Sequence, residues 1–237
     1  LLTSVLLNAQ DKFYMRSDVG MSYAVTSSNT AGITADFNSP KNDLSNYDVI
    51  WGLYLGGSVY KNLNIEMGFK CQMFSDRYSI QFENYMFSGE MGGSDAFVII
   101  PLNLSYSYRI AKSKFYVVPH LGVSFINRLE KEKYKTGITF DNIESSGSFG
   151  IIGKAIKYTD FPAEPSNDFS LLLNSGIGLE YRIHNRWGIT LDGNYSLGFN
   201  EINRHILLIK DNNSEITGEL SYKGTHYSLA GGVKYYF

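Results

Sequence analysis

The sequence predicts an all-β protein, an eight-stranded antiparallel up-and-down transmembrane β-barrel. Three observations carry that prediction. Eight segments alternate apolar and polar residues with a period of two, the signature of a strand with two unlike faces. The connections between them run long, short, long, short, long, short, long. There is also no apolar run of the roughly 18 residues that a membrane helix needs, so any crossing is made by strands. Composition agrees: 18 Tyr, 15 Phe and 23 Gly against 5 Pro in 237 residues suit strands and turns. A formal net charge of −2 lacks the basic footprint of a nucleic-acid binder. The single cysteine, Cys71, cannot form an intrachain disulfide and lies among apolar positions, where it reads as a small hydrophobe.

The elements follow in order. Residues 1–9 end an apolar run in small residues before the polar Gln10, Asp11 and Lys12, which reads as the remnant of an export signal; a first strand or short helix is the alternative. The mature domain is then 10–237. The first strand places Met15, Val19, Met21, Tyr23 and Val25 on one face and Arg16, Asp18, Gly20 and Ser22 on the other, before a polar loop over 26–46. The second carries Val49, Trp51, Leu53, Leu55 and Val59. After the turn at Lys61 and Asn62 the third carries Leu63, Ile65, Met67, Phe69, Cys71 and Met73, a connection so tight that the pair must be an antiparallel hairpin. A long connection over 75–95 leads to the fourth strand, with Val98, Ile100, Leu102, Leu104, Tyr106 and Tyr108 in phase. A short turn at 111–114 joins the fifth, with Phe115, Val117, Leu121, Val123 and Phe125. The longest connection, 129–167, precedes the sixth, with Phe169, Leu171, Leu173, Ile177, Leu179 and Tyr181. The turn at 184–186 gives the seventh, with Trp187, Ile189, Leu191, Tyr195, Leu197 and Phe199. A last long connection, 201–223, returns to the terminal strand with Tyr227, Leu229, Gly231, Val233, Tyr235 and Phe237. Runs such as 77–85 and 205–216, the latter about Asp211, Asn212 and Asn213, predict hairpins that rise above the membrane.

Sequential pairing puts all short turns at one end and all long loops at the other. Open edges on long strands invite aggregation, so the last strand is expected to close on the first. A soluble barrel of the lipocalin kind needs a charged exterior. Here the apolar row is nearly free of charge, whereas the other row is Gly, Ser, Asn and Thr with isolated charges, suited to a lumen. Aromatics gather near strand ends: Tyr60, Tyr108, Tyr181, Trp187 and Tyr235 near the short turns, and Tyr23, Phe97, Phe169, Phe199 and Tyr227 towards the loops. Lipid interfaces favour such bands, although Tyr60 and Phe97 fall on the inner row by parity.

The inner row holds Arg16, Asp18, Glu66, Lys70, Arg109, His120, Arg128, Glu180, Arg182, Asp192 and Lys234. An eight-strand lumen is filled by side chains, so a network of mutually paired charges is expected, with a gate or a proton or solute path as the alternative. His226, Tyr227 and Ser228 place a His and a Ser two apart on one strand face, both directed inward. No metal-ligand cluster, phosphate loop or nucleophile elbow is evident in the sequence, and no cofactor is expected.

In topology, loop asymmetry and the closing Val-Lys-Tyr-Tyr-Phe, the chain from about Phe13 onward resembles the small outer-membrane barrels of the OmpA and OmpX type. The resemblance implies residence in the bacterial outer membrane, periplasmic short turns and long extracellular loops. It also implies a barrel-insertion signal in Val233, Tyr235 and Phe237 read by the barrel-assembly machinery. The spacing of His226 and Ser228 is similar to the His-x-Ser pair of lipid A deacylases, but no acid follows at that family's distance. A periplasmic peptidoglycan-binding domain is not expected after the barrel, so tethering to the cell wall is not implied. The expected partners are outer-membrane lipid, lipopolysaccharide and a protein bound through the loops, with no nucleic acid. The expected role is structural, adhesive or accessory and not enzymatic; a small-solute channel or a lipid A modifying enzyme are the alternatives.

Overall fold

The computed structural model describes the backbone of residues 13–29, 33–36, 48–82, 85–129, 135–140, 155–161, 169–211 and 214–237. The expected export remnant at 1–9 lies outside the described residues. Eight strands make the wall: β1 (Phe13–Asn29), β3 (Asp48–Tyr60), β4 (Leu63–Phe82), β5 (Tyr85–Tyr106), β7 (Phe115–Arg128), β10 (Phe169–His184), β11 (Trp187–Gly198) and β13 (Ser214–Tyr236). Each pairs antiparallel with its sequence neighbour in this set, and β13 pairs with β1 from Tyr14↔Tyr236 to Asn29↔Glu219, so the sheet closes. Closure leaves no unpaired edge in the membrane, where a bare N–H or C=O has nothing to bond.

The period-two pattern sorts side chains as the sequence requires. Among the described outward positions of the eight strands Lys223, towards the loop end of β13, is the one Asp, Glu, Lys or Arg; Val19, Trp51, Leu53, Met67, Leu102, Leu121, Ile177, Leu191 and Val233 are among the exposed apolar side chains. A soluble barrel cannot tolerate so large a continuous apolar surface, and a lipid-embedded one requires it. β11, with 12 residues, matches the roughly 9–11 that cross a bilayer at a tilt. An aromatic band sits at the short-turn end: Phe115 packs on Tyr181 at 4.7 Å, Trp187 on Tyr235 at 4.8 Å, and Tyr235 on Phe237 at 5.3 Å between ring centroids. Tyr195 and Tyr227, 4.8 Å apart, lie towards the other end.

Two aromatics differ in their basis from the parity reading. Tyr60 is 62% exposed because the β3–β4 register shifts between Ser58 and Tyr60, turning it outward. Phe97, placed by the sequence in the loop-end band, is instead 0% exposed and points inward, as its parity dictates.

Several segments read as loops are strand. β4 and β5 continue through the connection expected at 75–95, pairing Ser75↔Ser94 and Phe82↔Tyr85 around a shift at Ser75/Arg77. β2 (Ile33–Asp36) pairs β4, and β12 (Asn203–Asp211) pairs β13 down to Asp211↔Ser214. The hairpins expected over 77–85 and 205–216 are therefore present; Asn212 and Asn213, at the tip of the second, lie outside the described residues. Within 129–167, β8 (Lys135–Phe140) and β9 (Ala155–Phe161) pair antiparallel, and β8 joins β12 in parallel. These segments lack a clean period of two: β12 carries Ile206, Leu207, Leu208 and Ile209 in succession, and β8 reads Lys-Thr-Gly-Ile-Thr-Phe, so the alternation by which a strand is recognised is weak. β6 (Tyr108–Arg109) is a short continuation on β7.

Candidate functional site

The lumen is layered along the barrel axis. Nearest its middle, Arg16 of β1 reaches Glu66 of β4 at 2.8 Å, Asp18 at 3.7 Å and Asp192 of β11 at 3.8 Å, and its guanidinium lies 4.0 Å from the centre of the Tyr54 ring. His120 of β7 approaches Asp192 at 3.6 Å and Asn194 at 3.2 Å. Lys70 is within electrostatic reach of Asp18 and Asp192. One step towards the short turns, Glu180 of β10 receives Lys234 of β13 at 3.1 Å, Arg182 at 2.7 Å and the Tyr236 hydroxyl. Rings separate and sandwich the cations: the Lys234 ammonium is 3.7 Å from the centre of Tyr14, and the Arg182 guanidinium lies 4.1 Å from Tyr116 and 4.6 Å from Tyr236. Such stacking favours a cation wherever water is scarce.

Of the charges named from the sequence, Arg16, Asp18, Glu66, Lys70, Glu180, Arg182, Asp192 and Lys234 are brought together, with His120. Two stand apart. Arg109 is exposed at the short-turn end, where its guanidinium donates to the carbonyls of Ser113 at 2.7 Å and Lys112 at 3.3 Å, fastening its own turn. Arg128 is opposite Phe97 in register, at the loop end and away from these ion pairs.

Above the charges comes a layer of amides and hydroxyls. Asn174 donates to Ser124 and accepts from Ser196 at 3.0 Å, Asn194 donates to Ser196 at 2.9 Å, and Gln72 donates to Ser22 at 2.9 Å. Above that, Ala24, Phe97, Ile99, Ile126, Leu172, Ile202 and Tyr222 form a buried apolar cluster inside the loop end, with Phe97 and Tyr222 edge to face at 6.0 Å. His226 is fully buried beneath it, its Nδ1 2.8 Å from the Gly224 carbonyl, and Ser228 also faces inward. No group of three His, Cys, Asp or Glu side chains placed to hold a metal occurs among the described residues.

Sequence reasoning missed the apolar cluster and the inner tyrosines. Ile202 and Tyr222 come from a segment read as a connection, and Ala24, Phe97, Ile99, Ile126 and Leu172 are apolar residues at the loop end of otherwise polar rows. The tyrosines did leave a signal. Tyr14 pairs with Gly56, and Tyr54 with Gly68. A Cβ on Gly56 would lie 2.4 Å from the Tyr14 ring, and one on Gly68 2.3 Å from that of Tyr54. A glycine beside a large ring on the inner row marks where that ring lies across the neighbouring strand.

The cavity left within the charge layer is about 40 Å³, bounded by Arg16, Glu66, His120, Glu180, Asp192 and Lys234. Towards the short turns lies a vestibule of about 300 Å³, which shares Tyr14 and Lys234 with it.

No family model matches the chain, and no curated protein matches it in sequence. Among solved structures, the outer membrane protein OprG from Pseudomonas aeruginosa is similar over 96% of this chain and 97% of that one, at 11% identity and a TM-score of 0.53. A major outer membrane protein from Thermus thermophilus matches over 96% of this chain and 100% of that one, at 11% identity and a TM-score of 0.46. The likeness to OprG is one of fold. With closure, the apolar outer face and the aromatic band, the chain has the fold of the small eight-stranded barrels of the bacterial outer membrane, the architecture that the OmpA and OmpX resemblance implied.

Proposed function

We propose that this protein is a non-enzymatic outer-membrane barrel that acts at the cell surface, through the strands and connections beyond the bilayer. On this reading it contacts another protein, lipopolysaccharide or a host or matrix component, as an adhesive, structural or accessory element. The observation that carries the reading is where chain is spent. β4, β5 and β13 run to 20, 22 and 23 residues, about twice what a bilayer crossing takes, and β2, β8, β9 and β12 add to the same end. Binding commonly resides on such projections from a rigid scaffold. The lumen supports the same reading, since ion pairs, an amide layer and an apolar cluster succeed one another across it. The short turns then face the periplasm, and assembly proceeds through the barrel-assembly machinery.

Replacing residues 129–167 by a short turn tests it. Folding, read from the heat-dependent shift of the band on gels, is expected to survive. Partners recovered from mild detergent and identified by mass spectrometry are expected to be lost. Retention of those partners after all four long connections are trimmed, together with loss of activity in a lumen variant, overturns the proposal in favour of a channel.

A further inference from the structure

The three short turns are basic. Lys61, Arg109, Lys112, Lys114, Arg182, His184 and Arg186 fall within 60–64, 106–116 and 182–187, which hold no Asp or Glu, whereas the whole chain has 23 acidic residues to 21 Lys and Arg. Four cations, Lys61, Arg109, Arg182 and Lys234, line the vestibule of about 300 Å³, with Ser58, Asn62, Asn64, Ser107 and three tyrosines. Glu180 lies behind its floor and neutralises one of the two cations that it binds. The two rim cations meet no carboxylate among the described residues: Arg109 is fixed on carbonyls, and the Lys61 ammonium lies 5.1 Å from the centre of the Tyr60 ring. Glu180 offsets one of these four charges, and Glu66 behind it is committed to Arg16, so positive charge is in surplus around a polar concavity with low-dielectric walls, a shape that concentrates the field on an anion. Neutral donors are already oriented there, the Asn64 amide being held between the Asn62 carbonyl and the Ser107 hydroxyl at 3.2 and 3.0 Å.

We propose that this vestibule is a binding site, open to the periplasmic side, for a small doubly charged oxyanion of the phosphate or phosphate-monoester class. Arg182 is the principal ligand: its Nε is held by Glu180 at 2.7 Å and its guanidinium lies 4.1 and 4.6 Å from the Tyr116 and Tyr236 ring centres, which fixes the group while its terminal N–H groups remain for an oxyanion. Lys234 supplies a second charge from the floor, and Arg109 and Lys61 supply charge at the rim. The volume is at the lower limit of ligand pockets, which restricts the occupant to a small molecule. Above the vestibule the lumen narrows to the ion-pair layer, so the anion is held and not passed on.

The test is calorimetric titration of inorganic phosphate into the full chain, folded in zwitterionic micelles at low salt. Saturable one-to-one binding that weakens with salt is expected. The rim pair Lys61→Gln and Arg109→Gln, which leaves Glu180 and its partners intact, removes two positive charges from the rim and is expected to weaken binding about tenfold and to flatten its salt dependence. Arg182→Gln is expected to weaken it further, with folding checked by the gel shift. The control pair Lys112→Gln and Arg186→Gln, outside the vestibule, is expected to change little. Absence of saturable binding overturns the proposal, as does a control pair that costs as much as the rim pair, which would show diffuse attraction to a basic surface. A final arm adds phosphatidylglycerol to the micelles. Unchanged phosphate binding assigns the site to free anions, and competition that is lost in the rim variant assigns it to the same phosphate chemistry on a lipid headgroup.

Discussion

Arg16 shows how one side chain can organise a lumen. It is nearly buried, and three carboxylates from β1, β4 and β11 converge on it. Removing it leaves those carboxylates facing one another without their shared counter-charge, and breaking a buried pair costs about 3–5 kcal/mol. Arg16→Ala is therefore expected to lower stability by that order in urea unfolding followed by tryptophan fluorescence, and Glu66→Ala by somewhat less, because Arg16 keeps two other acids. Losses under about 1 kcal/mol for both would mean that the pairs are screened as surface pairs are. A backbone position makes a separate prediction. Gly224 has φ +86°, and a Cβ there would lie 2.9 Å from Leu172 Cδ2 within the apolar cluster. Gly224→Ala is expected to cost about 1–3 kcal/mol, the usual penalty of a side chain in sparsely populated backbone space. An unchanged unfolding midpoint would count against that.

β13 is the element on which the others depend. It closes the barrel against β1, pairs β11 over Trp187↔Tyr235 to Ser196↔His226, and continues upward to carry β12. Its outward end places Val233, Tyr235 and Phe237 in a row, with Phe237 donating its backbone N–H to the Phe13 carbonyl at 3.0 Å. We expect deletion of Phe237 to reduce the assembled fraction in cells severalfold while leaving refolding in detergent nearly unchanged. On the proposed reading the assembly machinery alone reads the row as a signal, whereas the ladder hydrogen bonds hold the folded strand. Equal losses in both settings would make the row merely structural. The β4–β5 hairpin bears on the proposed surface role in the same way: its pairing persists, past a shift at Ser75/Arg77, to Phe82↔Tyr85, so it is a continuation of the wall.

At the scale of the whole barrel, two unlike barriers lie in series: ion pairs around a cavity of about 40 Å³, and a dry cluster of aliphatic and aromatic side chains beyond it. An ion crossing must displace the first and shed its water at the second, so purified protein in planar bilayers is expected to give no steady conductance. Ile126→Ala combined with Leu172→Ala thins only the apolar barrier and is expected to leave conductance low. Adding Arg16→Ala is expected to raise it measurably. Large, stable conductance of the unaltered protein would sink the sealed-lumen reading.

The architecture was legible because a lipid solvent outside and a polar filling inside impose opposite demands on alternate residues. Trp187 to Phe199 states that contrast in its letters, and the structure keeps every one of those side chains on the row assigned. The same contrast marked Arg16, Glu66, Glu180 and Lys234 as inner charges. It was weaker where alternation is lost: the runs 77–85 and 205–216 still read as hairpins, but β8 and β9 lie within 129–167, which read as one long connection. It failed inside the loop end, where Phe97, Ile99, Ile126, Leu172 and Ile202 meet across the lumen from distant segments. Row parity follows from the chain alone, because a strand turns each successive side chain by half a revolution. Which inner residues share a level depends on the stagger between strands. That is why only the closed barrel placed Arg16 against Asp192, released Arg109 to its own turn, and gathered Lys61, Arg109, Arg182 and Lys234 around one vestibule.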